Sequence, residues 1–190
     1  LWDCSAQTIP HSVAGPTNVT GTFEVRNSNS QVVSMEAGRI WSGNLLITGG
    51  RFAVRNTAAA SFNLQVNNFT LDNSSNANAR FSVYAGSNVT AFTTNFIVEG
   101  NMNIVLGNNA AASPVIEFRG SATTTLQENI NLRGNFTQTG SGTGVIGRTA
   151  GASIATFNFN AASSQTYTAS RNDLFGTLTA VSVNANTTLN

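Results

Sequence analysis

The sequence predicts an all-β protein wound as a single-stranded, right-handed parallel β-helix (β-solenoid), with about six coils of roughly 29–40 residues. Three observations predict it. The phrase "FEVRNSNS" at Phe23–Ser30 returns 29 residues later as "FAVRNTAA" at Phe52–Ala59, and "RFSVYA" at Arg80–Ala85 follows after a further 29. A second phrase, Asn-φ-x-φ with φ apolar, begins at Asn44 ("NLLITGG"), Asn68 ("NFTLDNS"), Asn95 ("NFIVEGN") and Asn129 ("NINLRGN"). Each copy alternates apolar with polar residues, favours Val, Ile, Phe and Thr, and closes on Gly or Asn, which is a strand signal. No segment carries a capped helical stripe, and "NTAAAS" and "NNAAAS" are too short to hold a helix.

Taken in order, residues 1–20 contain Trp2, Pro10 and Pro16, read unlike the repeats, and are expected to cap or link the first coil. Residues 21–190 form the β-helix. Within it Phe23, Phe52 and Phe81 are expected to stack as one inward column, with Val25, Val54 and Val83 two residues on. Leu45, Phe69, Phe96 and Ile130 form a second column, continued by Ile47, Leu71, Val98 and Leu132. Asn44, Asn68, Asn95 and Asn129 fall at a corner where stacked amides bond along the axis. Gly49, Asn73, Gly100 and Gly134 take the next corner. Weaker echoes at "VIEFRG" from Val115 and "TFNFNA" from Thr156 stretch the step to 34 and then about 41 residues, with loops absorbing the drift. A blade of a propeller needs about 40–50 residues and an immunoglobulin-like sandwich has no internal repeat, so neither suits a step of 29. The run from Leu174 reads as another strand pair with no polar cap after it, so more protein or another copy is expected to follow.

Composition narrows function. Charged residues are 9% of 190, and polarity comes instead from 26 Asn, 24 Thr and 19 Ser; all nine basic residues are Arg. A net charge of +1 gives no electrostatic footprint for nucleic acid or an anionic membrane. No run approaches the roughly 18 apolar residues of a membrane span. The single cysteine, Cys4, has no internal partner; an inert or disordered thiol is the favoured reading, with an intermolecular bridge or a partner lost with removed sequence as the alternatives.

Chemistry finds little to build on, and no cofactor or metal is implied. None of the eight acids neighbours another in sequence, although glycoside hydrolysis needs a carboxylate pair. Asp72 and Glu99 hold matching places in the second phrase, but Arg133 takes that place in the next copy, which reads as a solvated charge ladder. His11 lies outside the repeats between Pro10 and Ser12, with no acid next to it to complete a Ser-His-Asp arrangement. "GTGVIG" at Gly142–Gly147 belongs to a glycine-rich corner leading into more strand, not to a phosphate loop. Thr-x-Thr pairs do not recur in one slot of each coil, as an ice-binding face would require. Trp2, Trp41, Tyr84 and Tyr167 are candidates for an aromatic ligand platform, with a core role for Trp41 as the competing reading.

The runs "IEFRGSATTTLQ", "INLRGNFTQTGSGTGVIG" and "ATFNFNAASSQTYTASRNDLFGTLTAVSV" resemble the repetitive stalks of large secreted surface proteins and adhesins of gliding and biofilm-forming bacteria, with Ala161 standing where that pattern has Gly. The resemblance implies an extracellular, non-enzymatic structural element: a stalk, spacer or filament-forming subunit whose partners are copies of itself, flanking domains or surface polysaccharide. The alternative is a carbohydrate-binding or carbohydrate-cleaving β-helix.

Overall fold

The computed structural model describes residues 2–3, 11–13, 18–26, 32–35, 38–56, 61–85, 93–107, 114–119, 126–149, 153–184 and 187–189. Cys4, Pro10 and Pro16 lie outside the described residues. Of Trp2, His11 and Tyr84 only the backbone is described.

The described residues hold nineteen strands and no helix. They form three sheets of seven, six and six strands. Sheet A contains β1 (Trp2–Asp3), β3 (Thr22–Arg26), β6 (Asn44–Ile47), β9 (Phe69–Asp72), β12 (Met102–Val105), β15 (Phe136–Thr139) and β18 (Tyr167–Ala169). Sheet B contains β2 (His11–Val13), β4 (Val32–Met35), β7 (Arg51–Asn56), β10 (Arg80–Ala85), β13 (Ile116–Phe118) and β16 (Ile146–Arg148). Sheet C contains β5 (Arg39–Ile40), β8 (Phe62–Val66), β11 (Thr93–Val98), β14 (Gln127–Leu132), β17 (Ile154–Phe159) and β19 (Ala180–Val183).

Every strand pairing is parallel. From β3 to β17 the chain visits A, B and C in turn, so β3 to β15 each pair with the strand three places later, a solenoid-like arrangement. Residues 1–20 supply β1 and β2, which extend sheets A and B ahead of the first complete round.

Local sequence explains the elements. In the middle rounds of sheets A and C one face of a strand is buried and the other half-exposed, as in β9 (Phe69, Leu71) and β11 (Thr94, Phe96, Val98), because the side-chain period of a strand is two. Sheet B differs: Phe52, Ala53 and Val54 are all buried, and so are Phe81, Ser82 and Val83 in the next round. At the corner entering sheet A, a Cβ on Gly134 would run into the carbonyl of Gly100 one round below. Gly140 ends β15 at a φ of +82°, which L side chains rarely adopt.

The register corrects the expected columns. Phe23 lies in sheet A and pairs with Leu45, not with Phe52. Phe52 lies in sheet B, between Val33 and Phe81. Val25 likewise pairs with Ile47, whereas Val54 and Val83 do share a ladder. The second column also divides. Leu45 and Phe69 pair in sheet A, and Phe96 and Ile130 pair in sheet C. The physical reason is that each round carries three strands of similar φ-x-φ pattern, so a phrase recurs in different sheets. Phe118 pairs with Arg148 and Phe159 with Leu132, which removes the supposed step of 41. Corner-to-corner steps are instead 24, 33, 34 and 31 residues, from Asn44 through Asn68, Asn101 and Asn135 to Thr166.

The core sits between the three sheets. In one round Phe69 from sheet A, Phe81 from sheet B and Phe96 from sheet C meet, with ring centroids 5.1, 5.2 and 4.4 Å apart. All three are fully buried, and each such burial stabilises by about 1.5–3 kcal/mol before packing is counted. Phe136, Phe157, Phe159, Tyr167 and Phe175 form a second aromatic cluster toward the last round.

Candidate functional site

Three features stand out: amide ladders at the corners and outer faces, two buried glutamates, and the edge strands of the last round.

The asparagines divide between two ladders. Asn68 donates from Nδ2 to Asn44 Oδ1 at 2.9 Å at the corner into sheet A, and Asn68 Oδ1 then accepts the Asn101 N–H at 2.8 Å. Asn101 Oδ1 accepts from Asn135 N–H, and Asn135 Oδ1 from Thr166 N–H. On the outer face of sheet C, Asn95 bonds to Asn63 at 2.7 Å and Asn129 to Asn95 at 2.9 Å. Asn44 and Asn68 are therefore brought together, as are Asn95 and Asn129, but the two pairs sit apart. Gly49 and Asn73 follow sheet A, while Gly100 and Gly134 precede it, so the expected glycine corner is also two corners.

Trp41 is 1% exposed and tilts against Phe23 at 5.2 Å, so it offers no open face to a ligand. Tyr167 is half-buried and stacks on Phe136 at 5.2 Å; burial pushes its phenol above the ordinary tyrosine pKa. Glu99 and Arg133 form the expected charge ladder, with Arg133 Nη1 donating to both carboxylate oxygens at 2.7 and 2.9 Å. Asp72 stands elsewhere, at the end of β9 opposite Val105.

Sequence reading passed over Glu117 and Glu128. Glu117 is 1% exposed on the outward side of β13, where it accepts from Arg51 Nη2 at 2.6 Å, Ser82 Oγ at 2.6 Å and Thr149 Oγ1 at 3.3 Å. Its signal was the aligned set Phe-Ala-Val, Phe-Ser-Val, Ile-Glu-Phe and Ile-Gly-Arg, whose small middle residues leave room for one larger acid. Glu128, fully buried at the start of β14, accepts from Ser153 Oγ at 2.7 Å and from the Arg119 N–H at 3.2 Å. Each carboxylate is held by fixed donors, the arrangement of a structural lock.

No group of three or more His, Cys, Asp or Glu gathers as a metal site among the described residues. None of the described residues forms a helix long and apolar enough to cross a membrane. In the last round β18 and β19 each have one sheet neighbour, and Val181 and Val183 on β19 are 45% and 46% exposed. Leu189 makes a single parallel bridge to Gln165.

Comparison with protein-family models, with curated proteins and with solved structures returns no match.

Proposed function

We propose that the chain is one right-handed, single-stranded β-helix that works mechanically, without catalysis, as an extracellular stalk, spacer or filament-forming subunit of a cell surface. The observation that carries this reading is the set of three parallel ladders running from the first described strands to the last, with amide stacks beside them. Such a body is a rod that grows by about 4.8 Å per round. With 9% charged residues, little repulsion opposes a neighbouring copy. The exposed edge of β19 suits head-to-tail addition of a second copy through its first strands, or continuation into a flanking domain. The carbohydrate-cleaving alternative has less support, since Glu117 and Glu128 are committed to fixed donors and Trp41 is buried.

Sedimentation velocity over a wide concentration range tests self-association. The sedimentation coefficient is expected to rise with concentration for the native chain and to stay flat for Val181→Lys/Val183→Lys. A strictly monomeric native chain at high concentration refutes the filament reading.

A further inference from the structure

The arginines are unevenly placed. Four of the nine stand on sheet B strands (Arg51, Arg55, Arg80 and Arg148) and Arg119 directly follows β13, whereas Glu117 is the one acid on those strands. Glu36, just after β4, lies outside the described residues. Arg51 and Arg80 open β7 and β10 and stand opposite each other in register. Arg119 follows in the round above, its N–H bonded to Val83 O at 2.9 Å. Before Arg80 the chain turns at Asn76, whose Oδ1 accepts the Asn78 N–H at 2.9 Å. Arg51, Asn78, Arg80 and Arg119 together line a recess of about 320 Å³.

The charges around it do not balance. Glu117 is paired with Arg51, and the Glu128 carboxylate is turned to Ser153 and a backbone N–H. Among the described residues, the guanidinium groups of Arg80 and Arg119 have no hydrogen-bond or ion-pair partner. Like charges facing each other across neighbouring strands destabilise a sheet. Burial pulls Arg51 below the ordinary arginine pKa; Glu117 opposes that shift, and the guanidinium groups of Arg119 and Arg80 add to it. The three cations therefore share one field.

We propose that this recess is a binding site for one acidic sugar unit, whose carboxylate or sulfate sits between Arg80 and Arg119 and whose hydroxyls bond to Asn78. Forked guanidinium donors match the flat or tetrahedral oxyanion. The volume is at the lower end of the roughly 300–1,000 Å³ of ligand sites, which suits a single ring. The described lining residues are all arginine or asparagine, with no aromatic ring on which a nucleobase would stack and no aliphatic residue to hold a lipid chain. The site is independent of the rod's mechanical role and would let a spacer adhere along its side.

Isothermal titration calorimetry at low salt, with a hexuronic acid trimer, the matching neutral hexose trimer and sodium sulfate as titrants, tests it. The acidic trimer is expected to bind saturably, more weakly as salt rises, and at least tenfold more weakly to Arg80→Gln and to Arg119→Gln. Arg80→Lys is expected to fall between, because it keeps the charge and loses the fork. Arg133→Gln, whose arginine pairs with Glu99 at a different corner, is expected to bind like the native chain. Circular dichroism checks that the variants fold. Equal binding of the neutral trimer, unchanged affinity in both glutamine variants, binding of sulfate alone, or no saturable binding would each overturn the proposal.

Discussion

Replacing Phe81 with alanine removes the ring at the centre of the best-packed round. The side chain is fully buried and contacts Phe69 at 5.1 Å, Phe96 at 4.4 Å and Phe52 at 6.2 Å. A buried Phe→Ala change costs about 3–5 kcal/mol, and each well-placed aromatic pair contributes about 0.5–1.5 kcal/mol of specific interaction. Three ring partners, supplied by all three sheets, leave little scope for collapse into the space, so about 4–5 kcal/mol is expected. With a urea slope of about 2–3 kcal/mol/M, the unfolding midpoint falls by about 1.3–2.5 M. Phe23, 9% exposed and near the first round, is expected to cost about 3 kcal/mol or less as Phe23→Ala. Urea titration followed by circular dichroism measures both. A loss below about 2 kcal/mol for Phe81→Ala, or a larger loss for Phe23→Ala, would refute the central placement of this ring.

Three other outcomes follow from the geometry. Glu117→Gln leaves Arg51 without its anion and is expected to destabilise by about 3 kcal/mol, with Arg51→Gln added to it restoring part of the loss; a double-mutant cycle by urea unfolding reads the coupling. Gly134→Ala drives a Cβ into the Gly100 carbonyl and is expected to cost about 1–3 kcal/mol, while Gly147→Ala, whose nearest neighbour would be 3.4 Å away, changes the thermal midpoint little. The hydrogen bond from Arg171 holds the exposed Asp173 carboxyl below its usual pKa, so the pair's small contribution is present above the unfolded value and is lost as pH falls through the folded one; an NMR titration should show the depressed midpoint rising in Arg171→Gln and in high salt.

The strand content was readable because alternating Phe, Val and Ile mark a half-buried surface wherever they occur. The assignment of strands to sheets was not. Phe-x-Val-Arg-Asn at Phe23 and at Phe52 is the same local solution to the same burial problem, adopted once in sheet A and once in sheet B. Corner steps that vary between 24 and 34 residues conceal the period further. A better marker was present: Gly-Asn-φ at Gly43–Leu45, Gly100–Met102 and Gly134–Phe136 precedes sheet A each time, because a backbone close approach and a stacked amide recur there. Glu117 escaped notice because Arg51 lies two rounds earlier, so only the register brings acid and base together. The arginine recess was likewise invisible, since its lining comes from three separate passes of the chain.

The acceptor oxygens of Asn68, Asn101 and Asn135 all bond to the segment that comes later in the sequence, which gives the stack a direction. A chain emerging amino-terminus first therefore meets a finished template for each new layer, and the strand partner it must find lies only a few dozen residues behind. Extending such a body by further layers adds length without adding topological difficulty, so the time to order each layer stays the same however tall the structure becomes.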